Sequence, residues 1–529
     1  MKRCALMWLA VVAGATTAPG QVKIEDVLKA AGPPDAAALE KIKEYKKLLS
    51  DPDMRVRADQ QERLSLADHP ESAQLLVLNG LKDLFMIRDR AIWALSRHKS
   101  EGSIAVMRHY LKAGSEAMKT GCALALSRME TKPAGAAAEV AALLGGGGGD
   151  DQKIAFCHAL GFFGDKVGTP ALLPLLGGKD DLSVAAADAL ALIKDPESVP
   201  GLVKLLKARD WRSQVAAIQA LGELRVKEAI GPLIEYLAAA EGRPREDAKN
   251  ALQKITQKQY GMRHEDWEHW WKGAEAAFVV PPEKKEKDVE AEEKESRDGY
   301  GRSSKVTEYH RIKTYSKRMV FVLDISASMD ELIRVRRGVQ GTNARFNASK
   351  KIELARHELS TVLKTLDKDT WFNVMCFETD IRPWKKDPVQ ASPSSVAEAI
   401  QWFEGQRPRL GSGGYKASSG MDSNGMLMGR TNTYGALKWV FGRPVKPGAG
   451  VTGNPKPSGN CDTVFFLTDG EPTEGETTNI PEILADVAQW NKSARLTVHT
   501  IGMSETSGLR TLLQDLARLT GGKCVFVGE

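Results

Sequence analysis

Cysteine is scarce in this chain, and the cysteines present do not follow a metal-binding or disulfide-rich pattern. The 529 residues contain six cysteines, and no two of them are spaced as Cys-x-x-Cys. Cys4 lies before the first apolar stretch, within residues 1–20, which we expect to be removed as explained below. Five cysteines then remain in the folded protein. A disulfide framework of the kind that staples small secreted domains is therefore not expected. A single bridge in the C-terminal half stays open, because sequence alone cannot assign it.

An excess of charge of one sign is also missing. Lysine and arginine total 74 and aspartate and glutamate total 68, so the formal net charge is +6. Removing residues 1–20 takes away Lys2 and Arg3 and no acidic residue, and the charge then falls from +6 to +4. No block of basic residues is interleaved with aromatic ones, as a nucleic-acid groove would require. Nucleic acid is therefore not expected as a partner.

Apolar runs long enough to cross a bilayer are missing as well. The N-terminus has Lys2 and Arg3, then an apolar stretch over residues 5–15, then small residues up to Gly20. A basic start, a short apolar core and a small-residue exit are the parts of a secretory signal peptide. We expect residues 1–20 to be removed and the mature chain to be exported, to the periplasm or the outside. It is not expected to be an integral membrane protein.

The N-terminal half repeats itself with a period near thirty residues. An Ala-Leu pair or its equivalent recurs, and successive leucines are 31, 31, 34, 30, 31 and 31 residues apart. These leucines are Leu64, Leu95, Leu126, Leu160, Leu190, Leu221 and Leu252. Each unit also has an apolar helix before the Ala-Leu helix, and a fixed period of this size predicts a solenoid. Two short helices per repeat resemble HEAT repeats, which implies an extended protein-binding surface.

Two features near the repeats invite a chemical interpretation that their spacing excludes. The glycine run 145–149 is followed by no Lys-Ser or Lys-Thr pair, so we expect an inter-repeat loop rather than a phosphate-binding loop. His264 and His269 are five residues apart, about 140° around a helix, whereas a zinc-protease helix needs a spacing of four. We therefore expect the aromatic-rich segment around these histidines to cap the repeats.

Composition shifts divide the chain further. A segment rich in Glu and Lys follows the aromatic region, and mixed charge without an apolar face predicts a solvated linker. Beyond it, apolar strands alternate with amphipathic helices, which predicts an α/β doubly wound, Rossmann-like domain with a largely parallel sheet. The expected organisation is a signal peptide at 1–20, a lead-in at 21–49, helical repeats at 50–256, a cap at 257–278, a linker at 279–315 and the α/β domain at 316–529.

Small oxygen-bearing side chains stand at the ends of the predicted strands of this domain. Asp324, Ser326 and Ser328 form an Asp-x-Ser-x-Ser motif directly after the apolar run 318–323. Asp469 follows a second apolar run in the same manner. In parallel sheets, ligands bind at the carboxyl ends of strands. Carboxylate and hydroxyl oxygens suit Mg²⁺ or Mn²⁺ better than a soft metal.

With Thr431 between them, these residues resemble the von Willebrand factor A (VWA) domain and its metal-ion-dependent adhesion site. Where the family often has glycine between the two serines, this chain has Ala327, and the ligating positions are intact. The resemblance implies that Asp324, Ser326, Ser328, Thr431 and Asp469 hold Mg²⁺ or Mn²⁺ and leave one coordination position open. An Asp or Glu of a partner protein would complete the shell. No other cofactor is implied.

The expected function is therefore an exported adhesion or scaffold protein, with the repeats as a second protein-binding surface. Three long loops, at 330–347, 405–429 and 443–460, are expected to shape recognition near the metal. Catalysis is not expected, because a haloacid-dehalogenase-type phosphatase needs Asp where this chain has Ser326, and no Gly-x-Ser-x-Gly elbow occurs. Two alternatives stay open: a pure scaffold whose metal is structural or absent, and a metal-dependent hydrolase.

Overall fold

The computed structural model of the protein describes residues 23–283, 306–333, 349–408, 430–445 and 461–527. These residues form two compact units, which divide between Leu205 and Leu206. The predicted signal peptide lies outside the described residues, as do most of the charged linker and most of each long loop. Within the described ranges, no helix is both long and apolar enough to cross a membrane.

The first unit is built from short helices. In chain order they are α1 Ile24–Ala31, α2 Ala36–Leu48, α3 Met54–Leu64, α4 Pro70–Leu78, α5 Phe85–Arg97, α6 Glu101–Ala113, α7 Glu116–Arg128, α8 Ala136–Leu144, α9 Asp150–Phe163, α10 Thr169–Leu172, α11 Asp180–Ile193 and α12 Val199–Leu205. Many begin at residues suited to that position: Asp35 caps α2 by accepting a hydrogen bond from the Ala38 N–H at 2.7 Å, and Pro70 opens α4. The predicted helical repeat region is confirmed.

The periodic leucines explain why these helices pair. All seven repeat leucines are fully buried, and each lies at or near the end of the second helix of its repeat. A helix with such a residue cannot bury it alone, so neighbouring repeats must stack. The glycine run occupies the connection between α8 and α9.

The second unit begins with four further helices. They are α13 Trp211–Leu224, α14 Ile230–Ala239, α15 Gly242–Thr256 and α16 His264–Ala274. The aromatic-rich helix α16 packs against α14. Its Trp267 is fully buried, donates a hydrogen bond from Nε1 to the Gly261 carbonyl at 2.9 Å and lies edge-on to Tyr260.

An α/β sheet region follows in the same unit. Its strands are β1 Thr307–Tyr309, β2 Ile312–Thr314, β3 Arg318–Asp324, β4 Leu332–Ile333, β5 Ser349–Lys350, β6 Trp371–Phe377, β7 Ile381–Pro383, β8 Val389–Gln390, β9 Thr463–Thr468, β10 Thr497–Gly502 and β11 Cys524–Phe526. Its helices are α17 Lys351–Thr365, α18 Pro393–Gly405, α19 Thr433–Val440, α20 Ile480–Ala494 and α21 Ser507–Thr520.

The main sheet is largely parallel, as the sequence predicts. Its strand order is β11-β10-β9-β3-β6-β7, and β8 pairs with β6 beside this path. The pairs β11-β10, β10-β9, β9-β3 and β3-β6 are parallel, whereas β7 and β8 run antiparallel to β6. Among the described strands, β3 and β9 are therefore neighbours at the centre of the sheet.

Both faces of this sheet are covered, which explains the almost continuous apolar character of its strands. Successive residues of a strand point to opposite faces. Phe321 and Leu323 face a core formed with α17 and α18, whereas Val320 and Val322 face one formed with α19, α20 and α21. This arrangement is a doubly wound α/β layer structure.

The amino end of the sheet contacts the last repeat helices, a feature the sequence did not indicate. Arg243 of α15 donates to the Asp462 carbonyl at 2.8 Å and also to the Arg495 carbonyl. The Asp462 side chain accepts hydrogen bonds from the hydroxyls of Ser316 and Thr463. The C-terminal repeat helices and the sheet thus share a buried polar junction within one compact unit.

Four cysteines of the described ranges are buried free thiols: Cys122, Cys157, Cys376 and Cys461. Burial raises the pKa of the Cys157 thiol to about 12, so this thiol stays protonated. In the C-terminal half, Cys376 and Cys461 are therefore not bridged to each other.

Candidate metal centre

The two central strands bring two carboxylates to one edge of the sheet. Asp324 is the last residue of β3, and Asp469 directly follows the last residue of β9. The strands run parallel, with Leu323 opposite Leu467, so both chains leave the sheet at the same level. The two side chains are buried there.

The loop after β3 gathers the two serines around Asp324. The Ser326 backbone N–H donates a hydrogen bond to Asp324 Oδ1 at 2.7 Å. A 3₁₀ turn over Ala327–Asp330 then reverses the chain, with the Met329 N–H donating to the Ser326 carbonyl. As a result the Ser326 and Ser328 hydroxyl oxygens are 3.1 Å apart.

The carboxylate of Asp469 links this loop to a lysine. The Ser328 hydroxyl donates to Asp469 Oδ1 at 2.8 Å. The other oxygen, Oδ2, accepts a hydrogen bond from Lys351 Nζ, also at 2.8 Å. Lys351 in turn pairs with Glu331 on the exposed side. The Asp469 carboxylate is thus held at both oxygens.

Thr431 is fixed by its backbone just before α19. Its N–H donates to the Thr473 hydroxyl at 2.8 Å, and its carbonyl accepts from the Thr473 N–H at 3.0 Å. A methyl group placed on Gly470 would lie 3.3 Å from Thr431 Oγ1 and 4.0 Å from Ser328 Oγ. The hydroxyls of Thr431 and Ser328 therefore border the same small space, which the missing side chain of Gly470 leaves open.

The electrostatics of this space favour an added cation. Burial, and then the nearby Asp469 carboxylate, raise the pKa of Asp324 to about 7, although hydrogen bonds from Thr468 and Ser326 oppose the rise. Both effects that raise the pKa reflect negative charge held away from water beside a like charge. A divalent ion placed between these groups would offset that cost.

The donor set fits a hard divalent ion. The groups that converge here are three hydroxyls and two carboxylates, the oxygen ligands that Mg²⁺ and Mn²⁺ prefer. Across the described ranges, no cluster of three or more His, Cys, Asp or Glu side chains is placed to hold a metal. This centre therefore depends on its hydroxyl groups. The structure brings all five sequence-predicted residues to one edge, and their binding of a metal stays a prediction.

Sequence reasoning missed three members of the site. Thr468 donates its hydroxyl to Asp324 Oδ2, Lys351 pairs with Asp469, and Gly470 supplies the open space. Thr468 and Gly470 flank Asp469, so attention to the neighbours of a predicted ligand could have found them. Lys351 is remote in sequence from its partner, and nothing local marks it.

Comparison with known families agrees with the two regions described above. Residues 169–253 match the family model of HEAT repeats. Residues 343–423 and 425–526 match that of the von Willebrand factor type A domain, a span that includes Thr431 and Asp469 and begins after the Asp-x-Ser-x-Ser motif. The chain is thus a helical repeat region followed by an α/β domain that resembles the VWA domain, as the sequence predicts.

The curated relatives match a limited part of this chain. Inter alpha-trypsin inhibitor, heavy chain 4 of Mus musculus is 26% identical over 166 residues, which is 31% of this chain and 13% of that protein. Inter-alpha-trypsin inhibitor heavy chain H6 of Homo sapiens is 24% identical over 202 residues, 38% of this chain and 12% of that protein. The chain therefore spans a small part of the length of these relatives.

Two solved structures are similar to part of this chain. A von Willebrand factor type A protein from Catenulispora acidiphila has 16% identity and a TM-score of 0.27, covering 41% of this chain and 40% of that one. A Kap121p mutant has 12% identity and a TM-score of 0.35, covering 48% of this chain and 33% of that one.

Proposed function

We propose that this chain is a protein-binding module whose C-terminal α/β domain captures an acidic residue of a partner with the help of a divalent metal. The observation that carries the proposal is the convergence of two buried carboxylates and three hydroxyls on the space beside Gly470. When bound, Mg²⁺ or Mn²⁺ would supply a positive charge able to accept a carboxylate of the partner.

Each residue has a separate task in this proposal. Asp324 and Asp469 supply negative charge that attracts the ion, and their hydrogen bonds from Thr468, Ser328 and Lys351 fix their orientation. The serine and threonine hydroxyls add neutral ligands, so the site gathers an ion without adding further negative charge. An ion held by few anionic ligands stays attractive to an incoming carboxylate.

Binding is favoured over catalysis by the contacts of the serines. A nucleophilic serine needs a general base within hydrogen-bond reach. The Ser326 hydroxyl contacts Ser328, and the Ser328 hydroxyl donates to the carboxylate of Asp469. The Asp469 carboxylate is also engaged by Lys351, and we propose that these contacts belong to an ion-binding cluster. The similarity to heavy chains of inter-alpha-trypsin inhibitor supports an interaction role rather than a hydrolytic one.

The deciding experiment is calorimetry of Mn²⁺ and Mg²⁺ binding to the full chain. We expect saturable binding that Asp324→Ala and Ser328→Ala weaken at least tenfold, since each removes a proposed ligand. Asp330→Asn is the matched control, because Asp330 lies in the same loop but pairs with Lys350. Absence of binding by a folded wild-type chain would refute metal use and favour the pure-scaffold alternative.

Partner capture needs its own measurement. Arrays of peptides with a central Asp or Glu, each paired with its Asn or Gln counterpart, should bind the full chain only with Mn²⁺ and only in the acidic form. Binding that ignores either the metal or the carboxylate would contradict the proposal. Turnover of a substrate by the metal-loaded chain, lost in Asp324→Ala, would instead favour a hydrolase.

The repeats are proposed as a second protein-binding surface. In the first unit, Trp93 and Phe162 are exposed by 41% and 39%, and the guanidinium groups of Arg97 and Arg128 lie over their rings. Exposed aromatic and arginine side chains are typical of residues that dominate protein interfaces. Trp93→Ala with Phe162→Ala should weaken partner binding and leave Mn²⁺ affinity unchanged.

We also propose that the mature chain is exported. The basic start and the short apolar stretch of residues 1–20 support it. Expression in a bacterial host followed by N-terminal sequencing of the exported chain should give a mature protein that starts near Gln21. An uncleaved chain retained in the cytoplasm would contradict it.

A further inference from the structure

A lysine ammonium group lies inside the candidate metal centre. Lys351 Nζ is 2.8 Å from Asp469 Oδ2 and 2.8 Å from Glu331 Oε2. The side chains of Lys351 and Asp469 are 9% and 0% exposed, whereas that of Glu331 is 61% exposed. Water screens the outer pair far more than the inner one, so the contact with Asp469 dominates.

The backbone around Lys351 is fixed by hydrogen bonds and packing, and this holds the ammonium group in a defined position. Lys351 is the first residue of α17, and its N–H donates to the Glu331 carbonyl at 2.9 Å. The neighbouring Lys350 pairs with Leu332 in the short β4-β5 ladder. Buried Ile352 and Leu354 hold the start of the helix on the sheet.

The positive charge of Lys351 changes the net charge of the candidate metal centre. With Asp324 and Asp469 ionised, Lys351 brings the net charge of the three groups from −2 to −1. A divalent ion then leaves the loaded centre at +1, whereas the same centre without the lysine would be neutral. The lysine therefore opposes entry of the ion and favours entry of an anion after it.

We propose that Lys351 is a positioning residue that holds Asp469 in place without metal, weakens ion binding and leaves the loaded centre positive for an acidic partner. This inference rests on the proposed function, because it assigns a role within the same centre. Lys351 lowers the affinity of the site for the ion and raises the affinity of the loaded site for an acidic partner. Occupancy of the site by the ion and capture of the partner are therefore coupled.

The test is Mn²⁺ calorimetry on the full chain with Lys351→Gln, which keeps a hydrogen-bond donor for Asp469 and removes the charge. We expect Lys351→Gln to bind Mn²⁺ on the order of tenfold more tightly than the wild type. Lys351→Arg keeps the charge and should stay near the wild type. Lys350→Gln is the matched control, since this neighbour is 47% exposed and pairs with Asp330; its affinity should change less than about twofold.

Two readouts separate this role from a structural one. Without metal, Lys351→Gln should melt below the wild type, because Asp469 loses its buried cation, and Mn²⁺ should raise its melting temperature by more than it raises that of the wild type. Acetate binding to the Mn²⁺-loaded proteins can be measured by water-proton relaxation. Acetate should bind several-fold more weakly to Lys351→Gln than to the wild type.

The outcomes distinguish this inference from the proposed function. Equal or weaker Mn²⁺ binding by Lys351→Gln, with a wild type that binds, would overturn the inference alone. No binding by either folded protein would overturn both. Binding by the variant but not by the wild type would support the inference and refute metal use by the natural chain. If Lys351→Gln folds only with Mn²⁺, the inference is supported; if it does not fold even then, the inference fails.

Discussion

The two ends of the parallel strands in the C-terminal unit both bury carboxylates, but they balance them differently. At the amino end, Asp247 and Asp462 lie near the guanidinium of Arg243, and Arg243 also donates to main-chain carbonyls. At the carboxyl end, Asp324 and Asp469 are held mostly by hydroxyls, with Lys351 as the cation in contact with Asp469.

We propose that the difference separates a structural end from a functional one. Burial raises the pKa of Asp462 and of Asp247, and in both cases Arg243 opposes the rise. At the amino end, protein groups therefore compensate the negative charge of the carboxylates, as expected of a junction between packed elements. At the other end, hydroxyl dipoles leave part of the negative charge uncompensated, and an ion or ligand can take that part. Four measurements test this contrast between the two ends.

The largest effect is expected from removing the cation of the amino end. Arg243→Met leaves the buried carboxylate of Asp462 and the partly buried one of Asp247 without the nearby guanidinium, which should destabilise the unit by about 3–5 kcal/mol. Chemical denaturation of the full chain and hydrogen exchange over Gly242–Thr256 would measure the loss. Arg263→Met is the control, because that side chain is 48% exposed. Equal stability of the two variants would mean that the junction does not support the fold.

Acid should weaken the same end through His499. Burial lowers the pKa of His499 from its ordinary 6.5 to about 4, and the positive charges of Lys523 and Arg243 add to the effect. The pKa of His499 is lower in the folded chain than in the unfolded chain. Neutral His499 therefore makes its full contribution to stability above pH 6.5, and this contribution is lost as the pH falls towards 4. The loss should approach about 3 kcal/mol.

The pH dependence is measured as the difference between two proteins. Denaturation midpoints of the wild type and His499→Gln should diverge between pH 7 and pH 4.5, with the wild type losing more. His310, whose pKa is also lowered to about 4 by desolvation, is present in both proteins, so its contribution cancels. Parallel curves would show that His499 does not titrate in this range.

A smaller effect is expected from filling the space at the carboxyl end. The added methyl group of Gly470→Ala would crowd the hydroxyl of Thr431 and lower Mn²⁺ affinity on the order of tenfold. Gly273→Ala is the control, because a methyl group there meets no other atom within 4 Å. Calorimetry of the full chain gives both affinities. Unchanged Mn²⁺ affinity in Gly470→Ala would place the ion elsewhere.

The smallest effect is expected from the exposed partner of Lys351. Glu331→Gln removes an ion pair whose acidic side chain is 61% exposed, and such pairs contribute little. Mn²⁺ affinity should change less than about twofold. A change as large as that of Lys351→Gln would show that the outer pair, not the pair with Asp469, sets the charge of the centre.

Features with a local or periodic sequence pattern were predictable, and contacts between distant residues were not. The spacing of leucines such as Leu126 and Leu221 predicted the paired helices, because each must be buried in the same place of its repeat. The Asp-x-Ser-x-Ser motif at a strand end predicted the gathering around Asp324. The Lys351 contact with Asp469 joins residues 118 apart, and that of Arg243 with Asp462 joins residues 219 apart. No local pattern records such pairs.

The contact between Ser328 and Asp469 also bears on the order of folding. These residues are 141 positions apart in the chain and meet only where β3 and β9 lie side by side. A chain that is still collapsing has neither the pocket nor the ion affinity, since closing so long a loop is a late event. A bound ion should therefore leave the refolding rate nearly unchanged and slow unfolding instead. Ion uptake during refolding would then report when the central strands have joined.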